Sequence, residues 1–308
     1  READRLVLLG DVVELIEGRP GLAMRVAEPV LRAVGAAVGR GREVVLVPGN
    51  HDHTLVREWM REQSRRGRRV GPAARLPQSA SERLAQIARW LRPAHVTVRY
   101  PGVWLEDGVY ATHGHYVDRH LLPANWGARL RGPFAPLPEG RARVEDYERA
   151  GGPSFAATTS ALAVSLPRAI GEGLDSAAAL ARRAAVPFAR ALPEGLAPFT
   201  AAALNVQFRR QALPAMGEVA RLLRIGAREV IFGHLHRPGP LPGDERKEWS
   251  PAGGPRLWNS GSWVYEPLLL AGQEAPHPYW PGGAVMVDGS RLRTVTLLGH
   301  LSEAELRG

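Results

Sequence analysis

Short runs of consecutive apolar residues, most of them closed by a glycine, alternate along this chain with stretches in which apolar residues recur at helical spacing. The first run, Arg5-Leu6-Val7-Leu8-Leu9, ends at Gly10-Asp11, and the second, Glu43 to Val47, ends at Pro48-Gly49. Unbroken apolar runs of this length predict strands buried on both faces. Between them, residues 22–38 carry small and apolar residues with helical periodicity, and Pro29 is expected to kink that helix. Strand, helix and strand in this order predict a parallel pair. A helix is expected over 81–91, capped by Ser81, and strands over 95–99 and 109–112. The same grammar returns at "REVIFGHLHRP" (228–238) and "RLWNSGSWV", then in "GAVMVDG" and "RLRTVTLL", joined by an Asp288-Gly289 turn.

Residues 120–215 break the pattern. They are rich in Ala, Leu, Pro and Arg, predict several short helices and contain no convincing strand. The pattern as a whole predicts one α/β domain over 1–308 with a helical insertion or cap at about 120–215.

Composition narrows the chemistry. There is no cysteine among the 308 residues, so disulfides, zinc–thiolate sites and thiol catalysis are excluded. A metal must be held by His, Asp, Asn or Glu, which suit Mn, Fe, Zn or Mg. The formal net charge is +9, almost all of it arginine, since Lys247 is the only lysine. That field favours anionic ligands such as phosphate esters. The basic run "REWMREQSRRGRRVGPAAR" (57–75) has little aromatic interleaving for base stacking, so it reads as solvated surface rather than a nucleic-acid groove. No apolar run is long enough to span a bilayer and no leader pattern opens the chain, which makes the cytoplasm the default compartment.

Four strands open into ligand-type residues: "LVLLGDVVE" with Asp11, "VLVPGNHD" with Asn50, His51 and Asp52, "VYATHGH" with His113 and His115, and "VIFGHLH" with His234 and His236. In open α/β sheets, ligands and catalytic groups gather at the carboxyl ends of strands. Two cations about 4 Å apart would neutralise a phosphate ester and make a bridging hydroxide available near neutrality.

"GDVVE" (10–14), "GNHD" (49–52), "HGH" (113–115) and "GHLH" (233–236), in this order, resemble the calcineurin-like metallophosphoesterase superfamily. The resemblance covers most of the chain outside the helical segment. It implies a sandwich of two mixed β-sheets flanked by helices, and two divalent metal ions. Asp11 would bridge the ions, Asn50, His113 and His234 would complete one site, and His236 would belong to the other. His51 would act on the phosphoryl oxygen and leaving group, with Asp52 orienting it or its loop. Glu14, His115 and Asp118 would stand behind the ligands or contact substrate.

The family's Asp-x-His motif is missing before "GDVVE", so the resemblance implies an N-terminally incomplete domain whose second ion is poorly held. "HGHYVD" (113–118) and "NSGSW" (259–263) look most like bacterial phosphoesterases, including the branch similar to UDP-2,3-diacylglucosamine hydrolases. The expected function is therefore metal-dependent hydrolysis of a phosphodiester, pyrophosphate or phosphomonoester. A lipid-linked or nucleotide pyrophosphate is within its range, and a lipid substrate would bring peripheral contact with a membrane. A nuclease of the same superfamily and a non-catalytic metal-binding scaffold are the alternatives.

Overall fold

In the computed structural model, residues 3–16, 19–106, 108–121, 140–149 and 208–307 are described. Strand β1 (Arg5–Leu8) leads through helix α1 (Pro20–Val38) to β2 (Glu43–Leu46). Helix α2 (Arg57–Arg65), strand β3 (Ala73–Leu76) and helix α3 (Glu82–Trp90) follow. Next come the long β4 (His95–Glu106), β5 (Val109–Thr112) and two short helices, α4 (Asp118–Leu121) and α5 (Val144–Arg149). Helix α6 (Leu213–Leu222) precedes β6 (Glu229–Phe232), β7 (Arg256–Asn259), β8 (Gly283–Asp288) and β9 (Arg291–Thr296).

The sheet is seven-stranded and mixed, in the order β1-β2-β4-β5-β6-β7, with β3 also paired to β4. β1, β2 and the first part of β4 are parallel, as are β5, β6 and β7, while β4 and β5 are antiparallel. β4 serves as a common rail. β2 runs along its first half until Leu46 faces Val98, and β5 runs back along its second half until Thr112 faces Gly102. Strands from the two halves of the sheet thus end over the middle of β4. Pro101-Gly102 reads in the sequence as a strand end, hence the expectation of a strand over 95–99 only. β4 passes through it because its partner changes there from β2 to β5.

One face of the sheet is covered by α1, α2, α3 and α6, in a core that includes Met24, Leu31, Met60, Leu84, Ile87, Met216 and Val219. Ser81 caps α3, its hydroxyl accepting from Leu84 N at 3.3 Å. α1 lies so close to the end of α3 that a Cβ on Gly35 would meet Leu91 O at 2.4 Å. On the other face, Val285, Val287 and Leu292 of the β8–β9 hairpin pack on Val45, Val47, Val103, Ala111 and Ile231. The two expected mixed sheets are therefore one curled seven-stranded sheet faced by a two-stranded hairpin.

Pro29 sits within α1, which is assigned as one helix. Residues 57–75 hold more order than an arginine-rich surface run predicts, namely α2 and β3. Met60, Val70 and Leu76 anchor that segment in the core, while Arg61, Arg65 and Arg66 remain exposed beside Glu58 and Glu62. Of the expected insertion at 120–215, residues 122–139 and 150–207 lie outside the described residues. Among the described residues, no helix is long and apolar enough to cross a membrane.

Candidate metal centre

Asp11, His113 and His234 each offer one ligand atom, and these atoms lie within 4.8 Å of one another. Each follows a different strand, β1, β5 and β6, and the chain is shaped to bring them together. A Cβ on Gly10 would meet the His113 ring at 2.1 Å, and one on Gly49 would meet Asp11 Oδ1 at 2.3 Å. The glycines of both motifs are therefore space for a neighbouring ligand. Asp11, His234 and His236 have φ of 53°, 66° and 58°. This left-handed region costs a side-chain-bearing residue roughly 1–3 kcal/mol and is tolerated where surrounding structure dictates it.

The hydrogen bonds fix the chemistry of His113. Its Nδ1 faces Leu9 O at 2.8 Å and so carries a proton to donate. Nε2 lies 2.9 Å from Asn50 Oδ1 and 3.1 Å from Asp11 Oδ2. A cation fits among these three atoms, either a proton on Nε2 or a metal ion in its place. Neighbouring ligands of an octahedral ion with bonds near 2.1 Å are about 3.0 Å apart, which is the spacing found. Asn50 is completely buried, and its Nδ2 has no partner among the described residues. In the metal-free chain titration favours the proton, which a metal ion would have to displace. Burial pushes the Asp11 carboxyl up, but His113, His51 and His234 outweigh it and hold the carboxyl far below the usual range. Burial likewise lowers His113, and the charge of Asp11 more than reverses this. The donor set of carboxylate, imidazoles and amide oxygen fits a divalent ion.

His234 Nε2 donates to both oxygens of Asp118, at 2.9 and 3.0 Å, which leaves Nδ1 as its ligating atom. A buried carboxylate behind an imidazole fixes tautomer and ring orientation, so Asp118 stands behind a ligand and not against substrate. His236 opens on the same cleft as Asp11, His113 and His234 but is outside the compact group. Its pKa is lowered to about 4, by burial first and then by His234, so it is neutral.

His51 is half-buried, its Nδ1 paired with Glu14 Oε2 and its backbone N–H donating to Asp11 Oδ1 at 2.8 Å. The carboxylate on the His51 ring is thus Glu14. Asp52 instead ties the loop, accepting from Gly49 N at 2.6 Å and Val12 N at 2.9 Å. Its pKa is raised to about 6 by burial and then by Asp11, against those two backbone bonds. His115 is buried behind His113, with ring centroids 5.5 Å apart, and burial drives its pKa well down. That position behind His113 matches the first of the two roles expected of His115.

A buried glutamate escaped the sequence reading. Glu148 on α5 accepts from Tyr100 OH at 2.5 Å, Tyr116 OH at 2.6 Å and His53 Nε2 at 2.8 Å. It lies inside "RVEDYER" (143–149), where nothing separates it from the other acidic residues of an amphipathic turn.

No family model matches the chain. No curated protein matches it either. The likeness to metallophosphoesterases thus stands on the order of its motifs.

Proposed function

We propose that this chain is a metal-dependent hydrolase of phosphate esters. The carrying observation is the convergence of Asp11, His113 and His234, whose ligand atoms lie within 4.8 Å of one another, with Asn50 Oδ1 2.9 Å from His113 Nε2. Asp11, Asn50, His113 and His234 would hold one divalent ion, with Asp118 orienting His234. Asp11 and His236 would offer a second ion only two protein ligands. When bound, a divalent ion there supplies charge to polarise a phosphoryl oxygen and to lower the pKa of a water.

The residues around that point have separable tasks. His51, beside Asp11 and oriented by Glu14, is placed to donate a hydrogen bond to a phosphoryl oxygen and a proton to the departing oxygen. Asp52 keeps the backbone of residues 49–52 against the turn after β1. The net charge of +9 draws an anionic ester towards the cleft. The order of the motifs and their placement at strand ends support a metallophosphoesterase fold.

The test uses Mn²⁺ and bis(p-nitrophenyl) phosphate. Turnover that requires the metal, and that falls roughly 10²–10⁴-fold in His51→Ala with Mn²⁺ binding intact, is the expected result. Metal binding without turnover would favour a binding scaffold. Loss of Mn²⁺ binding in His51→Ala would make His51 a ligand.

A further inference from the structure

We propose that Glu148 is a positioning residue for the candidate metal centre. Its buried carboxylate holds the loops after β2 and β5, and through them Asn50 and His113, at ligand spacing. The inference rests on the metal reading above.

Glu148 touches no ligand. Its side chain is 13% exposed, that of its partner His53 is 7% exposed, and it collects three donors from three parts of the sheet. His53 lies on the loop that carries Asn50 and His51. Tyr100 lies at the middle of β4, where β2 and β5 end. Tyr116 lies on the turn immediately after His113 and His115. One carboxylate thus cross-ties the two loops. The rings between it and the ligands are packed in sequence. His53 meets Tyr100 edge-on at 5.8 Å, Tyr100 stacks on His115 at 6.4 Å, and His115 lies 5.5 Å from His113. A shift at Glu148 therefore has no slack to disappear into before it reaches His113.

The helix that carries Glu148 is itself fixed. Glu145 Oε1 accepts from Val70 N at 2.6 Å, and Tyr147 stacks on Tyr116 at 4.6 Å with 12° between the rings. Tyr147 also hydrogen-bonds His120 at 2.9 Å. α5 is thereby a rigid mount, and Glu148 is the point at which it meets both loops. Carboxylates bonded directly to a ligating imidazole typically carry 10–100-fold in metal affinity, and Glu148, one contact further out, is expected at the low end of that range.

The experiment measures Mn²⁺ affinity by calorimetry and backbone hydrogen exchange of the metal-free chain, using the full 308 residues. Glu148→Ala should weaken Mn²⁺ at least about tenfold and speed exchange at residues 49–53 and 113–117. Glu148→Gln keeps an oxygen for the two tyrosines and should recover most of both. Tyr110→Phe, which removes the buried hydrogen bond to Pro72 O away from the site, should lower stability and change neither readout. If Glu148→Ala does not fold, Tyr100→Phe/Tyr116→Phe removes two of the three ties and should move both readouts in the same direction. Native-like affinity and exchange in a folded Glu148→Ala, with Mn²⁺ bound by the native chain, would overturn this inference alone. No Mn²⁺ binding by the native chain would overturn the metal reading beneath it.

Discussion

Single side chains at this centre owe their roles to where their protons go. His113 spends one on Leu9 O and His234 spends one on Asp118, so the other nitrogen of each ring is the one available to an ion. Removing the carboxylate behind His234 should therefore loosen a bound ion without removing a ligand. Asp118→Ala is expected to weaken Mn²⁺ about 10–100-fold, measured by calorimetry at neutral pH. An unchanged affinity would mean that backbone and packing alone orient the His234 ring. The grouping of Asp11, His113 and His234 was legible in the sequence because each follows a strand with little chain between, so a one-dimensional motif preserves the geometry. Glu148 was not legible, since its importance comes from three donors 32 to 95 positions away. Of the two roles expected of Asp52, the structure shows the one on the loop: its carboxylate accepts from two backbone N–H groups, and the His51 ring turns to Glu14.

At the scale of elements, the buried parallel strands were the easiest to read. Their unbroken apolar runs have no amphipathic alternative, and β2 and β6 are buried almost throughout. β3 and the second half of β4 escaped, because arginines and a Pro-Gly pair mask strands that tertiary pairing imposes. The docking of α5 makes an acid-sensitive joint. Burial favours the neutral form of Glu148, but the charge and hydrogen bond of His53, then His115 and Tyr100, hold its pKa at about 2 against an ordinary 4.5. A lowered folded-state pKa contributes stability that is complete above 4.5 and is lost as pH falls from there towards 2. The drop from 4.5 corresponds to on the order of 3 kcal/mol. Glu148→Gln has no charge to lose, so its stability should fall less steeply over that window. Urea unfolding at pH 7, 4 and 2.5 checks this, and parallel acid limbs in the two proteins would refute it.

For the whole molecule, two surfaces matter. Leu22, Val26 and Val30 form a stripe at four-residue spacing on α1 and are 52%, 64% and 60% exposed. They border the same cleft as β1, which lies at one margin of the sheet. An apolar stripe beside a strand margin favours self-association. Sedimentation should show mass rising with concentration, and Val26→Glu should reduce the effect. The other surface is the centre, where the ligands divide unequally. Asp11, His113 and His234 form one compact group and His236 lies outside it, so on the proposed reading a second ion would have Asp11 and His236 alone among the described residues. Two protein ligands are fewer than the three that even catalytic zinc sites commonly use, so the second ion should be held weakly. One Mn²⁺ per chain should bind tightly. Because the proposed ligands come from the ends of β1, β2, β5 and β6, that ion would join both halves of the curled sheet and bind only the folded state. At a free concentration a hundred times its Kd, it should add about 2.7 kcal/mol to stability. Calorimetric stoichiometry together with thermal unfolding under rising Mn²⁺ checks both halves of this prediction. Two ions bound with equal affinity would require ligands beyond Asp11 and His236 at the second position. One ion bound without stabilisation would place it away from the strand ends altogether.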